Sequence, residues 1–166
     1  MKIIDLFCGI GGLSLGFEQA GFEVVSAIDM WADAVKTYNH NRKEKVAKVI
    51  TVEDFNNTML HEVIKEHHIT GIIGGPPCQG FSSANRWQKE MEDPRNKLFF
   101  EYIRFVQKIH PKVIMIENVR GLLTRDNGYA IERIKEILGA EEYNITYQVL
   151  DASEYGVPQN RKRAII

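Results

Sequence analysis

Residues 2–22 read KIIDLFCGIGGLSLGFEQAGF, and this stretch decides the fold. Residues 2–7 are apolar and β-branched, broken by Asp5, as in a buried strand. Gly9-Ile10-Gly11-Gly12 then permits a tight turn. Leu13, Leu15, Phe17 and Ala20 follow, with Gly21 as a stop, which predicts a helix. The alternation continues outward from there. Strands are predicted at residues 23–28, 47–52, 69–73 and 112–116, with candidates at 145–150 and 164–166. Helices are predicted at about 31–39, 58–67, 97–109 and 130–138, and the polar stretch up to Asn96 reads as loop. This order implies an α/β fold with a doubly wound, mainly parallel sheet.

Composition agrees. The 166 residues are 44% hydrophobic, 26% charged and 10% aromatic, which excludes a disordered chain, a collagen-like chain and a coiled coil. The length suits one compact domain, able to bury roughly two-thirds of its unfolded surface. Lys plus Arg is 21 against 22 for Asp plus Glu, so the net charge of −1 offers no broad basic surface. Two cysteines cannot make a disulfide framework, which fits a reducing compartment. Asp5 interrupts any signal-peptide core, and no apolar run approaches the roughly 20 residues of a membrane helix. A cytoplasmic protein working at the nucleoid is expected. The chain stops at AII after the basic QNRKR run, within a predicted strand, which suggests a fragment or one subunit of a larger fold.

In open α/β sheets, ligands bind beyond the carboxyl ends of the strands, so the turns after strands carry the chemistry. The first turn fails the G-x-G-x-x-G fingerprint because Ser14 takes the third glycine position. Asp29 lies 20 residues after Gly9 and ends the second strand, where an acid can bond ribose hydroxyls or cap the next helix. Asp54, after the third strand, would then face the adenine with Phe55 as an apolar wall, or else cap the next helix. Pro76 and Pro77 fix the backbone ahead of Cys78 and present its thiol to the crevice. Thiolate is a strong nucleophile; the alternative is a buried, inert cysteine, which is how Cys8 reads. Glu117 and Asn118 come directly after KVIMI. A desolvated carboxyl there could donate a proton, or it could cap the following turn. Arg161 and Arg163 point to one side of an extended segment, either toward a site or as a solvated patch. His40, His61, His67, His68 and His110 do not combine with the cysteines at ligand spacing, so no metal site is expected.

Together these segments closely resemble the C5-cytosine DNA methyltransferases. DLFCGIGGLSLGFEQAGF is similar to the family's first S-adenosylmethionine motif, and GGPPCQGFS to its catalytic-cysteine motif. DPRNKLFFE, IENVRGL and YGVPQNRKR resemble three further motifs, in the family's order, so the likeness runs over residues 5–166. It implies a Rossmann-like methyltransferase fold, incomplete at the C-terminus. Residues 1–166 would be the catalytic and cofactor-binding region. Target recognition and the closing segment would lie in a missing part or a second chain.

The resemblance also implies roles. Phe7, Gly9, Gly11, Gly12 and Leu13 would cradle S-adenosylmethionine, whose product is S-adenosylhomocysteine. Asp29, in place of the family's commoner Glu, would hold the ribose. Met30, Asp54 and Phe55 would meet the adenine, and Pro76 and Leu98 would also contact cofactor. Cys78 would add to C6 of cytosine while Glu117 bonds N3 and the amino group. Arg163 would bind O2, with Arg161 in support. C5 would then take the sulfonium methyl, and loss of the C5 proton would expel Cys78. The base must be flipped out of double-stranded DNA. Residues 81–96 would form a lid, and Pro77, Gln79, Ser82, Ser83, Asn85, Arg86 and Asn118 would lie near the nucleic acid. Other readings are a tRNA cytosine methyltransferase and a cofactor-binding subunit without turnover. A Rossmann dehydrogenase is disfavoured by Ser14 and by PPCQG.

Overall fold

The computed structural model describes residues 1–78 and 96–166. Seven strands, β1 (Lys2–Leu6), β2 (Glu23–Asp29), β3 (Ala47–Val49), β4 (Ile69–Gly74), β5 (Val113–Val119), β6 (Gln148–Asp151) and β7 (Lys162–Ile165), form one sheet in the order β3-β2-β1-β4-β5-β7-β6. Five α-helices alternate with them among the described residues: α1 (Gly12–Gln19), α2 (Ala32–His40), α3 (Asn57–Glu66), α4 (Lys97–Ile109) and α5 (Tyr129–Ala140). β1 pairs in parallel with β2 and β4, and β2 with β3. β7 runs antiparallel to both β5 and β6. The mainly parallel α/β fold read from the alternation is therefore the observed one.

Packing divides the chain into two compact units. The first comprises residues 1–75 and 104–115, the second residues 76–103 and 116–166. In the first, Ile3, Val24, Ala27, Val35, Tyr38 and Ile73 form a core, against which Leu13, Phe17 and Phe22 pack. The Phe17 and Phe22 rings meet edge to face at 5.1 Å, tying the end of α1 to the start of β2. Gly74 lets β4 lie close to β1, because a Cβ there would sit 2.2 Å from the Leu6 carbonyl oxygen. Asn56 caps α3 by accepting from the Met59 N–H at 3.1 Å. In the second unit, α5 buries Ala130, Ile131, Ile134 and Leu138, the i, i+3/i+4 spacing of an amphipathic helix.

Three differences from the sequence reading matter for the site. β5 continues to Val119, so Glu117 and Asn118 lie inside a strand rather than after it. The cause is distant: β7 pairs Asn118 with Ala164 and Val119 with Arg163, which residue periodicity cannot reveal. β3 stops at Val49, because the Thr51 hydroxyl draws the chain into a turn by accepting from the Asp54 N–H at 3.1 Å. β6 starts at Gln148 rather than 145. Short 3-10 turns at Arg120–Leu123, Arg125–Gly128 and Ala152–Tyr155 have no apolar repeat to announce them. Among the described residues, no helix is long and apolar enough to cross a membrane.

Candidate active site

The first unit builds a turn open to a ligand. Phe7, Gly9 and Gly11 have φ of 62°, 52° and 90°, so the chain enters the left-handed region three times within five residues. For Phe7 that conformation is uncommon. Backbone bonds hold it: Cys8 N–H to the Ile28 carbonyl at 3.0 Å and Gly11 N–H to the Cys8 carbonyl at 2.8 Å. Gly9 and Gly12 face open space, since a Cβ at either would meet nothing within 4 Å. Gly11 faces inward, where a Cβ would lie 2.5 Å from Arg42 and 2.6 Å from Tyr38.

Asp29 sits at the end of β2 and takes one backbone N–H on each oxygen. Gly9 donates to Oδ2 and Trp31 to Oδ1, both at 2.8 Å. It thus fastens the glycine turn and orders the entry to α2 together. Each carboxylate oxygen keeps a second acceptor direction for a hydroxyl. Met30 is 72% exposed and Trp31, which the sequence reading passed over, 65%. Asp54 is exposed and accepts from the Thr51 hydroxyl at 2.8 Å. Phe55 is 1% exposed with its ring 5.7 Å from that of Phe105, so the ring belongs to the core. Leu98 lies half-buried in the first turn of α4.

Beneath the turn lies a network that motif reading missed. The Ser14 hydroxyl donates to Asp5 Oδ2 at 2.5 Å, and the Tyr38 hydroxyl donates to Ser14 Oγ at 2.9 Å. Ser14 therefore occupies the third glycine position for a reason: it joins β1, α1 and α2. Asp5 is fully buried, and burial pushes its carboxyl up to about 7 against the opposing Ser14 bonds. Its Oδ1 has no hydrogen-bond partner among the described residues. The signal available in the sequence was an acid breaking an otherwise apolar strand. Cys8 is buried and its thiol is pushed up by that burial, as an inert structural cysteine should be.

The second unit brings together the other group of candidates. Cys78 is 4% exposed, and its Sγ–H donates to the Pro76 carbonyl at 3.3 Å. Burial pushes the thiol up to about 12, so the resting group is S–H, not thiolate. Asn118 Nδ2 donates to the same Pro76 carbonyl at 2.9 Å. Next to it, Glu117 Oε1 lies 2.8 Å from Arg163 Nε and 3.8 Å from Arg161 Nη2. The two arginines do point to one side, and both meet one carboxylate. Asp151 orders their approach by accepting from the Arg161 N–H at 3.0 Å. Pro76 is buried and Pro77 exposed. Gln79, Ser82, Ser83, Asn85, Arg86 and nearly all of the expected lid lie outside the described residues. Among the described residues, no group of three His, Cys, Asp or Glu could hold a metal ion.

The family model of the C-5 cytosine-specific DNA methylases matches residues 1–166. The type II methyltransferase M.FnuDI of Fusobacterium nucleatum is 42% identical over 163 residues, covering 98% of this chain and 45% of that protein. M.DdeI of Desulfomicrobium norvegicum is 43% identical over 173 residues, covering 98% and 39%. Among solved structures, a protein assigned as a prophage-encoded DNA modification methyltransferase (E. coli) superposes with a TM-score of 0.80. It is 32% identical, over 99% of this chain and 45% of its own. The chain spans less than half the length of these relatives.

Proposed function

The chain belongs to the C-5 cytosine-specific DNA methylase family, and we propose that it methylates cytosine in DNA at C5 with Cys78 as the nucleophile. One observation carries the reading. Cys78 and Asn118 donate to a single carbonyl, that of Pro76, and the residue before Asn118 on β5 is Glu117, whose carboxylate is held by two arginines. A backbone-fixed nucleophile, with an acid–base candidate on the strand that fixes it, suits addition to an aromatic ring.

The turn in the first unit fits an S-adenosyl group. Gly9 and Gly12 are open to it, the N-terminus of α1 suits its carboxylate, and Asp29 suits its ribose hydroxyls. Asp54 is exposed toward solvent and free to meet the adenine, whereas Phe55 would contribute its backbone only. S-adenosylmethionine supplies an electrophilic methyl group when bound.

The residues of the chain do the rest. Cys78 gives its proton to solvent and its sulfur bonds to C6 as N3 takes the proton from Glu117, which turns C5 into an enamine-like nucleophile. Glu117, taking up a proton when the base binds, donates it to N3 and accepts from the amino group, so negative charge does not accumulate on the ring. Arg163 turns a donor to O2 while Arg161 holds Glu117. Once C5 carries its methyl group, loss of the C5 proton breaks the sulfur–C6 bond and frees Cys78. The thiol is pushed up to about 12 by desolvation alone. Ionising the buried thiol therefore calls for a change in its surroundings when substrate binds.

Target recognition we place outside these 166 residues, in a further segment or a second chain acting on double-stranded DNA. The net charge of −1 supports this, because phosphate contacts from Lys and Arg supply most non-specific affinity. Labelled methyl transfer to duplex DNA and to tRNA, by the chain alone and by the assembly that contains it, tests the whole reading. DNA methylation by the assembly, with the chain alone near background, is expected. Transfer to tRNA and not DNA would overturn the substrate. Sequence-specific DNA methylation by the chain alone would overturn the division of labour.

A further inference from the structure

Arg42 follows α2 and belongs to none of the motifs that carry the resemblance, yet its side chain is 11% exposed. Its Nη2 donates to the Gly11 carbonyl at 2.8 Å. Its Nε lies 3.0 Å from both carboxylate oxygens of Glu18 on α1. Its guanidinium carbon sits 3.9 Å above the centre of the Tyr38 ring. The Gly11 carbonyl also accepts the first helical bond of α1, from Leu15 N–H at 2.9 Å. Both its acceptor directions are thus taken, and the left-handed residue between the open glycines 9 and 12 cannot rotate without breaking two bonds.

The sign of the charge points beyond helix stability. A cation near the first turn of a helix is on the unfavourable end of the macrodipole, and Glu18 is spent offsetting it. What Arg42 supplies there is the bond to the Gly11 carbonyl, which fixes the shape of the turn. We propose that Arg42 is a positioning residue for the cofactor turn, holding the Gly9–Leu13 backbone in the shape that receives the carboxylate end of an S-adenosyl ligand. This rests on the cofactor reading given above.

The test uses the assembly that contains this chain, with Arg42 varied in it, and two ligands. S-adenosylhomocysteine carries the amino-acid carboxylate, and methylthioadenosine has the same nucleoside without it. Titrations run well below the melting temperature of every variant, where all are folded and a purely stabilising contact moves no affinity. Arg42→Met should weaken S-adenosylhomocysteine by about tenfold or more, the loss expected when the competent turn becomes a minor population. Methylthioadenosine should weaken by less than about threefold. Arg42→Lys, which keeps the charge and one donor, should recover part of the loss, and serves if Arg42→Met does not fold. Amide hydrogen exchange at Gly11 and Gly12 without ligand should speed up in Arg42→Met. Unchanged exchange with unchanged affinity would overturn the proposal, as would equal losses for both ligands. A wild-type assembly that binds neither ligand would instead refute the cofactor reading, while the exchange comparison would still judge Arg42.

Discussion

Asn118 and Cys78 are joined through one atom: Nδ2 of the first and Sγ of the second both donate to the carbonyl oxygen of Pro76, at 2.9 and 3.3 Å. A strand residue thereby fixes the backbone that presents the thiol. Asn118→Ala should leave the Pro76 carbonyl with its weaker, sulfur donor alone. Removing such a bond costs about 1–2 kcal/mol of stability. Alkylation of Cys78 by iodoacetamide in the folded protein, slow in the wild type because the thiol is buried, should accelerate. Unchanged labelling would mean that Asn118 does not hold the cysteine turn.

Glu117 stands where β5 meets β7, its Oε1 shared by Arg163 and, more loosely, Arg161. Glu117→Gln keeps hydrogen-bonding capacity and loses the carboxyl proposed to share a proton with N3. Turnover should fall by ~100-fold or more, the usual scale for a general acid–base group, with cofactor affinity nearly intact. Near-normal turnover would reduce the residue to a partner for the arginines.

Asp5 makes stability depend on pH. Its carboxyl is raised from 3.8 to about 7 by burial. The folded protein therefore keeps a proton that the unfolded chain gives up. The contribution is fully favourable below the unfolded value, declines as pH rises from 3.8 toward about 7, and levels off above it. Asp5→Asn should flatten that decline, so the variant gains on the wild type between pH 5 and pH 8 by roughly a few kcal/mol at most. Denaturant unfolding across this range measures it. Parallel curves for the two proteins would show that Asp5 does not titrate there.

What the sequence disclosed and what it hid divide along chain distance. The strand, the glycine turn and α1 are local patterns, and residues 2–22 announce them. Cys78 after two prolines and the paired arginines are local too, and the structure aims both arginines at one carboxylate. The clamp on Gly11 depends on Tyr38 within α2 and on Arg42 just after it, and no spacing rule links them to the turn. Glu117 and Asn118 were identified as candidates but placed after a strand, because only the return of β7 extends β5 past Ile116. Phe55 looked like a ligand wall from its place beside Asp54, and long-range packing on Phe105 takes its ring into the core.

The most direct test of the account concerns Cys78. Duplex DNA carrying 5-fluorocytosine at the target base cannot lose a proton from C5, so a nucleophile bonded to C6 stays attached. In the assembly that methylates ordinary DNA, incubation with this duplex and S-adenosylmethionine should give a denaturant-resistant complex. Peptide mass spectrometry should place the adduct on Cys78, and Cys78→Ala should abolish both adduct and methylation while still binding cofactor. An adduct on another residue, or methylation that persists in Cys78→Ala, would contradict the account.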